Sequence, residues 1–448
     1  MWKRHVTAYR RSLGLVPEGP FRSFTEWVVR QPGYADRWFQ LSALSELDRM
    51  VGHLVDGLFD EVERDRLAPY ISLMNNHQVF ETASDDLAIG LAARTDQDLS
   101  RSARRELLVG FNNAMVQRLS GGGPGPARDA VLALQPLARN VSIFQQSLYG
   151  GEFHDLVRGF VAAHPEESVE AVEFDVLPIL VANIECAATL VDHVSELASA
   201  ELVRSGLVRR YAAVNRLLTE ELTTEELLAT GLDAILVIPT LAYCVGVAAE
   251  TVRPVRTFPK VVGDGRLERA LENAALAVRI LNDCGTRLVE QPSERAALRE
   301  QLAALQEKTG GTGTLADLLL HAQEGRRDLL ARLRKDLVHG EFNVCLDGLR
   351  DLPATRDALC LFGDRLHLIA ARYQAATEDL DTQLTEISEE FSDTAPSAMI
   401  ARFVDFHRVM YARSYEDGTG GDFAVPLLGP GRQERRRPGE PGRGAVQG

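Results

Sequence analysis

The chain has 448 residues, 45% of them hydrophobic and 25% charged, and carries a net charge of −15 at pH 7. That length can bury a large core, in one big domain or two. The negative balance argues against general nucleic-acid binding or anionic membrane surfaces, and five scattered cysteines with no CxxC pair make neither a zinc framework nor a secreted disulfide scaffold.

The opening Met1-Trp2-Lys3-Arg4-His5 runs into polar sequence, so no signal peptide is expected. Apolar residues recur at i, i+3, i+4 and i+7 almost everywhere, and alternating strand patterns are nearly absent, which predicts an all-α fold. The spacing predicts helices over 37–60, 63–74, 102–118, 127–148, 152–163, 168–203, 207–220, 224–250, 265–290, 293–307, 315–337, 354–385 and 395–413. The aromatic anchors Trp27, Trp38 and Phe39 fall in the first part, and Gly121-Gly122-Gly123-Pro124-Gly125-Pro126 is the expected boundary. This divides the chain into an N-terminal helical region, 1–120, and a larger helical domain, 127–415. The longest apolar run, Ala234–Ala249, contains Pro239 and Tyr243 and is short for a membrane span; a kink is expected at Pro239. His339-Gly340-Glu341 reads as a simple helix end. Residues 418–448 turn Gly/Pro/Arg-rich, a composition that predicts a disordered tail. A cytoplasmic, reducing location follows from the cysteine usage.

The stretch 282–290, Asn-Asp-Cys-Gly-Thr-Arg-Leu-Val-Glu, stands out. It places Asn282, Thr286 and Glu290 at i, i+4 and i+8. Each four-residue step on an α-helix turns the side chain by about 40° and climbs about 6 Å, so the three oxygen-bearing groups form one ridge. Such a ridge suits a hard divalent cation that bridges to phosphate. The apolar stripe Leu267, Leu271, Ala274, Val278, Leu281 and Leu288 runs beside it, which puts the ridge on the edge of a core.

With Asp283 following Asn282, this motif resembles that of the class I terpene synthases, all-helical enzymes that cyclise prenyl diphosphates. The resemblance implies that Asn282, Thr286 and Glu290 chelate Mg²⁺, with Asp283 in support. Arg372-Tyr373, 82 residues after Glu290, is similar to the family's Arg-Tyr pair, whose Arg binds diphosphate. The recognisable motifs lie in the second half of about 130–410.

The family's Asp-rich first motif has no clean copy here. Asp85-Asp86 is an Asp pair, but it lies nearly 200 residues upstream and lacks a later Asp. Glu152 with Asp155, and Asp192 with Glu196, are the acids expected to supply the facing metal half-site. The diphosphate-sensing Arg is also missing from its expected place; Arg253 and Arg256 are nearest, and Arg287 stands near the usual basic position.

The implied function is Mg²⁺-dependent ionisation and cyclisation of a prenyl diphosphate, with a twenty-carbon chain, linear or copalyl-type, preferred. Metal and arginine stabilise the leaving diphosphate, and an aromatic wall protects the cation from water. Wall candidates are Phe144, Tyr149, Phe153, Phe174, Tyr243 and Phe342. A homodimer is compatible with this reading; nucleic acid and a membrane span are not expected. Prenyl transfer at the same site and a non-catalytic helical binding or scaffold protein are the rival readings.

Overall fold

A computed structural model describes residues 1–92, 99–142, 144, 150–322 and 329–412. The expected tail and Tyr149 lie outside the described residues. The fold is all-α: two isolated bridges, Asp56 with Phe59 and Thr314 with Pro353, are the only β pairing among the described residues.

The first helices are α1 (Trp2–Ser12), α2 (Pro20–Val28), α3 (Tyr34–Leu41), α4 (Leu44–Val55), α5 (Glu61–Ala88) and α6 (Leu99–Leu119). Next come α7 (Pro124–Leu132), α8 (Gln135–Ala138), α9 (Gly150–Ala163), α10 (Val169–Glu173), α11 (Val176–His193), α12 (Ala200–Thr219), α13 (Thr224–Asp233) and α14 (Val237–Val247). The remainder are α15 (Phe258–Gly263), α16 (Arg266–Cys284), α17 (Thr286–Glu290), α18 (Pro292–Thr309), α19 (Leu315–Ala322), α20 (Ala331–His339), α21 (Arg356–Phe391) and α22 (Ala395–Met410).

Helix α5 packs on α11, α1 and α14; α12 packs on α6 and α14; α16 packs on α21, α14 and α22; and α22 packs on α4. One hydrophobic cluster runs from Tyr9 to Phe406 and includes residues on both sides of the Gly121–Pro126 stretch.

Several helices depart from the sequence expectation, each for a visible reason. The expected 63–74 helix is the first half of α5. Its second half carries Asn75, Asn76, His77, Glu81, Ser84 and Asp86, all buried. A helix buried on more than one side shows no clean apolar stripe, and its buried polar groups hide the period. An Asp60/Glu63 capping box starts α5. Pro69 lies inside it and cannot donate to the Asp65 carbonyl one turn back; Arg4 Nη1 donates to that carbonyl instead, at 3.1 Å.

The expected 168–203 helix is divided at 194–199, where Glu250 accepts from Ala198 N at 2.8 Å and caps the start of α12. The expected 224–250 helix breaks at Ala234–Leu236 rather than at Pro239. Pro239 sits in the first turn of α14, where an N–H has no intrahelical acceptor to lose. A π turn (Ala248–Val252) then carries Glu250. The segments Val169–His193 and Thr224–Val252 have the length and composition to cross a membrane, and 72% and 78% of the most apolar 18-residue stretch of each is buried inside the protein. Helices α1 and α2 fall in a part of the sequence where the spacing predicts none.

The expected 265–290 helix is also two helices. Gly285 stands between α16 and α17 with φ 80° and ψ 147°, a backbone region open essentially to glycine alone.

Candidate functional site

A cavity of about 1390 Å³ opens between α4, α5, α6, α12, α16, α20 and α22. It is large enough for a ligand of drug size or above. The break between α13 and α14 turns Ala234, Ile235, Leu236 and Val237 into wall, and Leu41, Leu47, Met50, Leu108, Val214, Val278 and Phe403 extend the apolar lining. Of the aromatic wall candidates, Phe144 and Phe342 line this space. Phe153 packs instead against Phe24 and Phe144, Tyr243 is buried beside His193, and Phe174 caps α10; none of these three is in the lining.

One wall is acidic. The last turns of α5 present Glu81, Asp85 and Asp86 to the cavity. Glu81 is fully enclosed: Tyr211 Oη and Asn183 Nδ2 each donate to Oε2 at 2.6 Å, and Arg210 Nη2 lies 2.7 Å from Oε1. The same Arg210 nitrogen donates to Asp85 Oδ1 at 2.6 Å. Burial pushes Glu81 up, but Arg210, His77, Tyr211 and Asn183 together leave it net lowered, so it stays ionised. Asp86 is 5% exposed, and its Oδ1 has no hydrogen-bond partner. Burial raises its pKa to about 7, against the pull of a Phe144 backbone hydrogen bond and of Arg104. Asp85 is likewise pushed up, to about 6, by burial against Arg210. Its side chain is 64% open to solvent, however, which screens the effect, so the Asp86 shift carries more weight.

Asn282, on the last turn of α16, lines the same cavity. Arg332 holds it through two hydrogen bonds of 2.6 Å, one to the Asn282 carbonyl and one to Oδ1. Asp283 is fully buried, and its Oδ1 accepts from Asn282 Nδ2 at 3.1 Å. It accepts from Arg279 at 2.8 and 3.1 Å and from Val344 N at 2.7 Å, which fastens α16 to the loop after α20.

Thr286 and Glu290 do not extend the Asn282 ridge, because Gly285 ends the helix between them. Thr286 Oγ1 donates to the Arg408 carbonyl at 2.6 Å, and its N–H donates to the Tyr411 carbonyl at 3.2 Å. Glu290 accepts from Arg408 at 2.5 and 3.1 Å and from Tyr373 Oη at 2.9 Å. Both are therefore tied to α22 and α21, and neither lines the cavity.

The other residues singled out in the sequence lie elsewhere. Arg372 pairs with Glu225 at 2.9 Å on the exposed side of α21. Glu152 pairs with Arg37 across α9 and α3, and Asp155 pairs with Arg158 on the exposed face of α9. Asp192 and Glu196 are exposed around the end of α11. None of these five lines the cavity. Arg253 pairs with Glu63 and Asp393, and Arg287 pairs with Glu294.

Sequence reasoning set Asp85-Asp86 aside on its distance from the triad. The available signal was Glu81-x-x-x-Asp85-Asp86, which puts Glu81 and Asp85 on one helical face. It also read His339-Gly340-Glu341 as a helix end. The helix does end there, with Gly340 at φ 59°, and the turn delivers both His339 and Glu341 to the cavity. Lys335 donates to Glu341 at 2.6 Å.

A hard cation was tested against these donors. Asp85 and Asp86 offer carboxylate oxygens, one of them orphaned, whereas the Asn282 amide oxygen is taken by Arg332. A carboxylate pair is the kind of donor that can hold Mg²⁺, with water and phosphate oxygens completing the shell. Thr286 and Glu290 do not fit as they stand. Among the described residues no three His, Cys, Asp or Glu side chains converge into a ready-made cage. Comparison of the chain with protein-family models, with curated proteins and with solved structures finds no match.

Proposed function

We propose that this protein is a Mg²⁺-dependent enzyme of the class I terpene synthase kind, which ionises a prenyl diphosphate in this cavity and releases diphosphate. The observation that carries the reading is the joint placement of Asp85-Asp86 and Asn282 in the lining of one large cavity with apolar walls. In this reading Asp85 and Asp86 would hold the metal, and Asn282 would join them by giving up its Oδ1 bond to Arg332. Bound there, the metal supplies Lewis acidity towards the leaving diphosphate.

The chain's own residues do the rest. Arg210, anchored on Glu81, places a fixed positive charge beside Asp85. Lys335 and Arg279 stand at the α16–α20 end of the lining, paired with Glu341 and Asp283. Once a bound substrate displaces water from the cavity, fixed charge there acts more strongly than in bulk solvent. Leu41, Leu47, Met50, Phe144 and Phe403 exclude water from the hydrocarbon part. The volume accommodates a twenty-carbon chain.

The test is diphosphate release from ten-, fifteen- and twenty-carbon prenyl diphosphates and from copalyl diphosphate, with and without Mg²⁺. Release from the unmodified protein and a loss of about 100-fold or more in Asp86→Asn and in Asn282→Ala are expected. No release from any of these substrates overturns the reading, and release only when an acceptor is added assigns the site to prenyl transfer. The locking of Glu290 by Arg408 favours one rival, a binding protein that takes up the lipid without ionising it. Saturable binding with no turnover would select that rival.

A further inference from the structure

The wall formed by α22 has a chemistry of its own. Phe403, His407 and Tyr411 follow one another at i, i+4 and i+8 and all line the cavity. The rings form a ladder: His407 lies 4.4 Å from Phe403 and 5.8 Å from Tyr411, centroid to centroid. Aromatic faces attract cations without reacting with them. Within this ladder His407 supplies a nitrogen lone pair.

Its tautomer is fixed by the helix. Nδ1 lies 2.8 Å from the Phe403 carbonyl, an acceptor only, so Nδ1 must carry the proton. Nε2 is left as the acceptor of the neutral ring. The ring is half-buried, and the desolvation it undergoes lowers the His407 pKa to about 4, which favours the neutral ring at working pH. The charged groups nearest in sequence, Asp405 and Arg408, are engaged with each other, and Arg408 also with Glu290. Glu46, on the adjoining α4, is another proton acceptor in the lining; burial leaves it raised against the pull of Arg49 and Arg332.

We propose that His407 takes the last proton from the hydrocarbon cation, the step that ends the reaction as an olefin; this rests on the ionisation reading above. The C–H bond next to the cationic carbon breaks, and its electron pair becomes the new C=C bond. The proton forms an N–H bond at Nε2. The resulting imidazolium keeps its Nδ1 bond to the Phe403 carbonyl and returns the proton to water or to the departing diphosphate, which restores the neutral ring. Its low basicity is no obstacle, because a carbocation is a far stronger acid than an imidazolium, and it makes the return easy.

The test separates ionisation from termination. His407→Phe keeps the ring ladder and removes the lone pair. Diphosphate release within about threefold of the unmodified protein is expected, together with a fall of about tenfold or more in the principal olefin and a gain in alcohols or isomeric olefins. An unchanged product profile overturns the assignment, as does a shift produced by Glu46→Gln and not by His407→Phe. Absence of any release from the unmodified protein overturns the ionisation reading itself and this inference with it. Nitrogen NMR of isotope-labelled histidine gives a readout independent of turnover and of the variant's folding. It should show His407 neutral at pH 7 with the proton on Nδ1; a proton on Nε2 overturns the assignment.

Discussion

Asp86 is the residue whose environment departs most from its ordinary chemistry. Its folded pKa of about 7 exceeds the usual carboxylate value of 3.8. Between these values the folded protein binds more protons at this group than the unfolded chain, so the Asp86 contribution is fully present below about pH 4 and is lost as pH rises towards about 7. The cost at pH 8 is on the order of 4 kcal/mol. Asp86→Asn should therefore raise the midpoint of chemical unfolding at pH 8 and leave it nearly unchanged at pH 4. A divalent cation held by Asp86 has the same sign of effect, so Mg²⁺ should raise the thermal midpoint at pH 8 in the unmodified protein and not in Asp86→Asn. The Asp pair was legible in the sequence, but its burial was not. Carboxylates on a surface helix and carboxylates in a cavity wall share one spelling, and only the elements packed around them separate the two.

The decisive element is the α16–Gly285–α17 junction. Helical spacing puts Asn282, Thr286 and Glu290 on one ridge, and the backbone at Gly285 cancels that ridge. Gly285→Ala should destabilise the protein by roughly 1–3 kcal/mol, read from denaturant unfolding, because the added Cβ opposes φ 80°. A near-neutral effect would mean that the junction can be rebuilt as continuous helix. Arg408 holds α17 from the other side. Arg408 is half-exposed, so its pair with Glu290 is screened, and Arg408→Ala should cost about 1 kcal/mol. Hydrogen exchange at the Thr286 amide, which donates to Tyr411, should quicken in that variant. The Gly was visible in the sequence within a helical pattern, where an isolated glycine is tolerated at a cost of about 1 kcal/mol and does not by itself mark a break. The neighbouring carbonyls of Arg408 and Tyr411, which take up the freed Thr286 donors, come from more than a hundred residues away.

For the whole molecule, acid stability depends on buried imidazoles. His77 is fully buried beneath the acidic wall, and burial lowers its pKa to about 4 from 6.5. The unfolded chain binds the extra proton between these values, so stability is present above about pH 6.5 and is lost as pH falls towards about 4. His407 adds an effect of the same sign. Because the raised carboxyl of Asp86 acts with the opposite sign over the same range, the test is differential. Any loss of thermal midpoint from pH 6.5 to pH 4.5 should be smaller in His77→Gln, if that variant folds, than in the unmodified protein, and identical pH profiles contradict the burial argument. The all-α class and most helices were readable from the sequence, because apolar period is a local property of the chain. So was an uncommon cluster of oxygen donors at 282–290. The sequence could not say which acids face which, because facing is set by packing between elements far apart in the chain. Tertiary structure alone brought Asp85 and Asp86 from α5 to the cavity of Asn282, turned Glu290 away to Arg408, and left Glu152, Asp155, Asp192 and Glu196 outside.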